Sequence, residues 1–297
     1  MDYRDEILKL ILKTKANYGE IQTDIKQLSF YMAIKPTEFL NTIYEPSICV
    51  IIQGQKAVGF GNDLYSYNPY KYLLATTYIP ARIQIEKASK DHPYVSLVIK
   101  LKPESIYEVI KEVGDFKIQN KKNIKNGLCF SDLDDTLLET ITKFVKLIEK
   151  PKNDAEFLSN LILKEIIYLI LKQNGDLLKQ YILEGNLANQ ISRAIMAIKN
   201  SFNENINMKK LSKEIGISES LLYKNFRKIT SLSPLQFQKK IRLEEAKNLL
   251  ISTNLEASQI AFKVGYESPS QFSREYARMF GMSPKAHCNF LRDSINL

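Results

Sequence analysis

The sequence predicts an α+β chain: an N-terminal β-barrel or sandwich with following helices, then an all-α C-terminal domain with two helix–turn–helix units. Three observations predict it. Short stretches rich in Val, Ile, Tyr and Thr alternate with turn residues between 48 and 101. Helical periodicity of apolar residues takes over from Pro103. The C-terminal third carries an internal repeat of helix, glycine turn and helix. A length of 297 residues suits one large or two ordinary domains.

A first helical segment lies near Asp5 to Lys13. Strands are expected at 48–53, 56–60, 63–67, 71–78, 81–88 and 94–101. Ile83 and Ile85 alternate with Arg82, Gln84 and Glu86 at period two, the pattern of a half-buried strand. Gly54, Gly61-Asn62-Asp63, Asn68-Pro69 and Asp91-His92-Pro93 supply the turns between them. Short strands at this spacing suit a sandwich or small barrel.

Pro103 to Val113 is the next helix, followed by Leu133 to Glu149, with Leu137, Leu138, Ile141, Phe144, Val145 and Ile148 on one face. Pro151 interrupts, and Asp154 to Lys172 is strongly apolar through Leu158, Leu161, Ile162, Ile166, Leu169 and Ile170. Such stripes are either core or a subunit interface, and the sequence leaves both open. Gly175 and Gly185 bracket a softer connection, and Ala188 to Phe202 is a helix leading into the last part.

The net charge of +9 is unevenly spread. From Lys199 to Leu297 there are 16 Lys/Arg against 9 Asp/Glu, a net +7; the first 198 residues carry only +2. A basic third joined to a nearly neutral remainder suggests a polyanion-binding module attached to something with another task. No apolar run approaches the ~18 residues that span a bilayer, and Met1 to Lys15 mixes charges among its aliphatics, unlike a secretory signal. A cytoplasmic protein with no membrane role is expected. Cys49, Cys129 and Cys288 are scattered, without zinc-site spacing, and read as buried or incidental thiols. The two histidines, His92 and His287, have no His partner nearby. No GxSxG, HExxH, P-loop or GxGxxG pattern occurs, so neither an enzyme nor a cofactor is expected.

The repeat carries the functional argument. The first copy runs Met208-Lys-Lys-Leu-Ser-Lys-Glu-Ile215, then Gly216-Ile217-Ser218, then a helix through Leu222 and Phe226 to Ile229. The second runs Glu256 to Val264, then Gly265-Tyr266-Glu267-Ser268, then a helix through Phe272 and Tyr276 to Phe280. Glycine takes the left-handed turn cheaply, Ser218 and Ser268 can cap the next helix, and Pro269 suits its first position. Each second helix packs one face inward. The outer faces hold Ser220, Tyr223, Lys224, Arg227 and Lys228, then Ser270, Gln271, Ser273, Arg274 and Arg278. A polar, basic outer face is what a reader of the DNA major groove requires. Between the copies, Ser233-Pro234-Leu235-Gln236 opens a capped helix to about Leu250, roughly 25 Å long. That length can set two recognition helices into adjacent turns of one duplex, ~34 Å apart.

Ser233-Pro-Leu-Gln-Phe, Arg242-Leu-Glu-Glu-Ala, Ile260-Ala-Phe-Lys-Val-Gly-Tyr, Glu267-Ser-Pro-Ser-Gln-Phe-Ser-Arg and Phe280-Gly-Met-Ser-Pro284 together resemble the AraC/XylS family of bacterial regulators, over about Ile198 to Asp293. The resemblance implies a seven-helix DNA-binding domain and transcriptional control, commonly activation, with RNA polymerase as a partner. By motif position it puts base reading on Ser220, Tyr223 and Lys224, and on Pro269, Ser270, Gln271, Ser273 and Arg274. Arg274 can pair bidentately with guanine and Gln271 with adenine. Lys210, Arg227, Lys228, Arg278 and Lys285 suit phosphate positioning.

The first 180 residues are similar, more loosely, to the family's cupin-like N-terminal type with two following helices. That implies an effector-sensing and dimerising domain at 1–185, a leading helix or linker at 186–198 and the double helix–turn–helix domain at 199–297. A homodimer would form through the helices at 133–172. Tyr31, Tyr78 and Arg82 are the candidates for contact with a small-molecule effector. Two other readings remain: control by a protein partner or by abundance with no small ligand, and a cupin-type metalloenzyme. Three scattered cysteines cannot supply the four zinc ligands of a DNA-alkylation-responsive regulator.

Overall fold

Antiparallel pairing of the Val-, Ile- and Tyr-rich segments builds the N-terminal part. The computed structural model describes residues 3–13, 18–114, 127–182, 187–253 and 255–295. Ten strands form among the described residues: β1 (Gly19–Gln22), β2 (Leu28–Ala33), β3 (Leu40–Tyr44), β4 (Ser47–Gln53), β5 (Gln55–Phe60), β6 (Asp63–Tyr67), β7 (Lys71–Ala75), β8 (Ile79–Lys87), β9 (Tyr94–Lys100) and β10 (Leu128–Asp132). One sheet has the order β1-β2-β9-β4-β7-β10, the other β3-β8-β5-β6. The six expected strands are all present. β1, β2, β3 and β10 are additions that the sequence reading did not place. β1 is a short outer strand with alternate residues exposed, so it offers little apolar signal.

Helix α1 (Tyr3–Lys13) packs on β4 and on α3 (Asp135–Lys146), covering the outside of the six-stranded sheet there. This explains the unbroken apolar run of β4, in which Ile48, Cys49, Val50 and Ile51 are all buried. α2 (Pro103–Val113) packs against α4 (Lys152–Ile182), and α4 against α3. Asp134 caps α3 by accepting from the Leu137 amide at 2.8 Å, and a 3-10 turn at Leu147–Glu149 closes it.

α4 does not stop near Lys172. It continues to Ile182 through a kink at Asn174, whose φ of −132° and ψ of 25° are non-helical. The Asn174 side chain is buried and fully engaged. Its Nδ2 donates to the Tyr72 hydroxyl at 2.7 Å, and its Oδ1 accepts from Ser131 at 3.0 Å. Polar side chains that hold the backbone to other elements bend helices in this way. Gly185 lies outside the described residues.

The C-terminal part is all helical: α5 (Leu187–Asn200), α6 (Met208–Ile215), α7 (Glu219–Thr230), α8 (Pro234–Ser252), α9 (Ala257–Lys263), α10 (Pro269–Phe280) and α11 (Pro284–Ile295). Six of these, α6 to α11, lie within 199–297, and α5, expected as a leading helix, makes seven among the described residues. Contacts divide the chain into two units, Met1–Ser192 with Ile229–Ser231, and Arg193–Lys228 with Leu232–Leu297. In the second unit one core gathers Leu243, Ala246, Leu250, Ile260, Ala261, Val264, Tyr266, Phe272 and Tyr276. Burying a large apolar side chain of this kind contributes about 1.5–3 kcal/mol. No described helix is long and apolar enough to cross a membrane.

Candidate DNA-binding surface

The two halves of the repeat are built by the same local chemistry. Asn207 caps α6, its Oδ1 accepting from the Lys210 amide at 2.9 Å. Gly216, at φ +81°, ends α6, and the Ile217 amide reaches back to the Ser212 carbonyl at 3.0 Å. In the second copy Gly265 has φ +91°, and the Tyr266 amide reaches the Ala261 carbonyl at 2.9 Å. Both are six-to-one closures that satisfy a carbonyl left free by the helix end.

Serine hydroxyls then start each recognition helix. Ser218 accepts from the Leu221 amide and Ser268 from the Gln271 amide, each at 3.3 Å. Pro269 occupies the first turn of α10, where no amide hydrogen is needed. In α7, Leu222 and Phe226 are buried, and Phe226 meets Phe237 of α8 edge-on at 5.4 Å. In α10, Phe272 and Tyr276 are buried within a run of ring contacts from Tyr266 to Phe280.

With those faces committed inward, Ser220, Lys224, Arg227 and Lys228 of α7 are exposed and Tyr223 is half-buried. Ser270, Gln271, Arg274 and Arg278 of α10 are exposed, with Pro269 and Ser273 half-buried. Lys210 and Lys285 are exposed as well. Lys210 shares an exposed ion pair with Glu214 at 3.8 Å. The Gln271 amide is engaged within its own helix, donating to Glu275 at 3.3 Å.

The helix between the copies does more than set spacing. α8 opens with the expected capping box of Ser233 and Gln236. From its side, Arg242 donates to the carbonyls of Phe202 at 2.7 Å, Glu204 at 3.0 Å and Gly265 at 2.8 Å. Gln238 donates to the same Phe202 and Glu204 carbonyls. α8 thus holds the second turn and the segment after α5 together. Lys239 and Tyr266 both donate to Glu275 at 2.8 Å. Burial works to raise the Glu275 pKa, but the hydrogen bonds from Lys239, Tyr266 and Gln271 outweigh it and keep the carboxylate ionised. Arg242 stands within a family-like motif, but the sequence alone gives it no role. A three-carbonyl anchor joins residues 40, 38 and 23 positions away, which no spacing within one helix reveals.

The effector candidates fall on different elements. Tyr31, on β2, is half-buried and meets Tyr94 edge-on at 6.3 Å. Arg82, on β8 of the other sheet, is exposed and lies over the Phe39 ring at 5.6 Å. Tyr78 is half-buried in the connection from β7 to β8. A different set inside the N-terminal unit has no signal in the sequence: the buried hydroxyls of Tyr44, Tyr67 and Tyr94, which make no hydrogen bond, with Lys56 over the Tyr44 ring. Among the described residues, no three His, Cys, Asp or Glu are grouped so as to hold a metal ion.

Two capped helix–turn–helix units, joined by a helix that ties them down and presenting basic outer faces, define a DNA-binding transcription regulator. The chain belongs to the AraC-type transcriptional regulators: the AraC-type transcriptional regulator N-terminus family model matches residues 24–176. A helix-turn-helix domain model matches residues 211–288. The lactose operon transcription activator of Staphylococcus xylosus is 21% identical over 271 residues, covering 89% of this chain and 91% of that protein. The HTH-type transcriptional activator RhaS of Escherichia coli (strain SE11) is 24% identical over 153 residues, covering 50% and 54%. Among solved structures, an apo form of ToxT from Vibrio cholerae strain SCE256, carrying a single substitution, aligns with a TM-score of 0.61 at 15% identity, covering 88% and 97%. Wild-type ToxT of the same strain has also been solved with an unsaturated fatty acid bound; that structure aligns with a TM-score of 0.57 at 15% identity, covering 87% and 94%.

Proposed function

We propose that this chain reads a specific duplex sequence with α7 and α10 and activates transcription there under the control of a small molecule bound in its N-terminal unit. The observation that carries the DNA reading is the duplication: two independently capped recognition helices, each with one face buried and the other polar and basic. Ser220, Tyr223 and Lys224 read bases from α7, and Ser270, Gln271, Ser273 and Arg274 from α10. Pro269 offers an apolar contact. To read adenine, Gln271 exchanges its bond to Glu275 for the base edge, a low-cost change at an exposed residue. Lys210, Arg227, Lys228, Arg278 and Lys285 hold phosphates.

Activation rests on relatives described as activators, and makes RNA polymerase a partner. The effector reading rests on the fatty acid bound by ToxT, a protein of similar fold. Pairing of two copies through the helices at 133–172 is supported by Phe157 and Leu161 of α4, which stand 68% and 53% exposed. The cytoplasm is the place of action, and the task is regulatory with no reaction catalysed.

The test is fluorescence anisotropy of the purified protein on intergenic DNA flanking its own gene, against random duplex, across a salt series. Preference for the first by ~10³-fold, with affinity falling steeply as salt rises, is expected. A folded protein that binds no duplex at low salt would overturn the reading.

A further inference from the structure

Lys56 is the one lysine of β5, and its direction is set by its neighbours. It pairs across the sheet with Tyr67 of β6 on one side and Ile85 of β8 on the other, and both are buried. Directly paired residues point to the same face, so Lys56 points inward with them. Its ammonium stands 5.5 Å from the centre of the Tyr44 ring, which belongs to β3. Tyr94, from β9 of the opposite sheet, lies within electrostatic reach of Tyr44 and Tyr67. The hydroxyls of Tyr44, Tyr67 and Tyr94 are all buried and all without a hydrogen bond.

Buried hydroxyls are rarely left unpaired, because each loses its water without replacement. Tyr44, Tyr67 and Tyr94 act electrostatically on one another and on Cys49, so the three hydroxyls form one group, and Lys56 borders it through the Tyr44 ring and Cys49. Lys56 is half-buried by exposed area, and the shift of its ammonium is set by burial and by the Cys49 thiol rather than by an Asp or Glu. We propose that Lys56, Tyr44, Tyr67 and Tyr94 form the binding site for the carboxylate head of a small organic monoanion. This assignment rests on the effector reading above and names its chemistry.

The match is one of charge and of donor number. One ammonium balances one negative charge. A carboxylate offers about four acceptor positions on two oxygens, and the site offers the ammonium and three hydroxyls. Burial raises the pKa of all three tyrosines; at Tyr94 it outweighs the downward pull of the neighbouring Ser96 hydroxyl, so all three remain protonated donors. Burial raises the Cys49 thiol too, which leaves it neutral beside the site. Burial lowers the Lys56 pKa, and a bound carboxylate would restore it. Binding should therefore weaken as pH rises through the depressed Lys56 value.

The experiment is calorimetric titration of the full chain with decanoate and with benzoate, using decanol and benzamide as uncharged counterparts. At least one carboxylate is expected to bind and its counterpart not. Lys56→Met is expected to weaken binding by about tenfold or more, and Tyr44→Phe, Tyr67→Phe and Tyr94→Phe each severalfold. The phenylalanine variants remove only an unpaired oxygen, so they keep the fold should Lys56→Met lose it. The proposal is overturned if neither carboxylate binds, if the uncharged probes bind as tightly, or if all four variants bind like the parent. Anisotropy on DNA separates this site from the effector reading. Carboxylate binding lost in Lys56→Met with no change in DNA affinity keeps the site and removes the effector role. Ligand-dependent DNA binding that survives in all four variants does the reverse.

Discussion

The carbonyl of Asn203 stands where a Cβ on Gly265 would have to go. Gly265 also sits at φ +91°, and its own carbonyl accepts from Arg242. The second turn is therefore closed against the segment after α5 by glycine's lack of a side chain. Gly265→Ala should cost about 2–4 kcal/mol, combining the left-handed penalty with overpacking against backbone. Gly281, at φ +77° with nothing within 4 Å of its Cβ position, isolates the first contribution. Gly281→Ala should cost only about 1 kcal/mol. Urea unfolding of the two variants tests this; equal losses would show that the approach of Asn203 contributes nothing.

Arg242 anchors the same turn from α8. A guanidinium reaches three carbonyls in a fixed fork, which a lysine ammonium on a flexible stem cannot reproduce. Arg242→Lys is expected to lose about 1.5–3 kcal/mol despite the retained charge, since hydrogen bonds to charged groups are worth that much. It should also weaken DNA binding, because the turn that presents α10 is no longer held. Denaturation midpoints and anisotropy on the same preparation check both. A variant with parental stability would mean that water replaces the anchor.

How much of this was legible in the sequence varies by the range of the interaction. The caps at Ser218, Ser233 and Ser268 and the glycine turns were readable because each depends on residues within six positions. The inward faces of α7 and α10 followed from four-residue spacing. Arg242 as an anchor was not readable, because its partners are carbonyls, which every residue possesses. The interior group of Lys56 and three tyrosines was invisible for a related reason. Its members come from four strands in two sheets, and a tyrosine in a strand looks the same whether its hydroxyl is paired or not. Arg82 shows the converse: the alternation of β8 is legible in the sequence, but the exposure of its arginine is not.

Arg274 and Lys228 separate reading from holding. Both are exposed on recognition helices, in the middle of α10 and near the end of α7 respectively. Arg274→Ala should cost about 1–3 kcal/mol on the cognate site and relax preference at one base pair. Lys228→Ala should weaken cognate and random duplex alike and reduce the salt slope by about one phosphate. Competition anisotropy against single-base variants of the site measures both. Uniform weakening by Arg274→Ala would move that residue to the phosphate group.

His287 gives the C-terminal unit a pH dependence whose sign can be worked out. It lies on α11 with its Nδ1 3.1 Å from the Tyr276 hydroxyl, and burial, then repulsion from Lys247, lowers its pKa below the ordinary 6.5. Between the lowered folded value and 6.5 the unfolded chain binds more protons than the folded one. Stability therefore falls as pH drops below about 6.5 and levels off once the folded imidazole is itself protonated. Above 6.5 both states are neutral at this residue and no loss remains. His287→Gln removes the titration, so the difference in urea midpoint between parent and variant should shift steadily in the variant's favour on acidification. A difference that stays constant across that window would mean that the Tyr276 contact stabilises both protonation states equally.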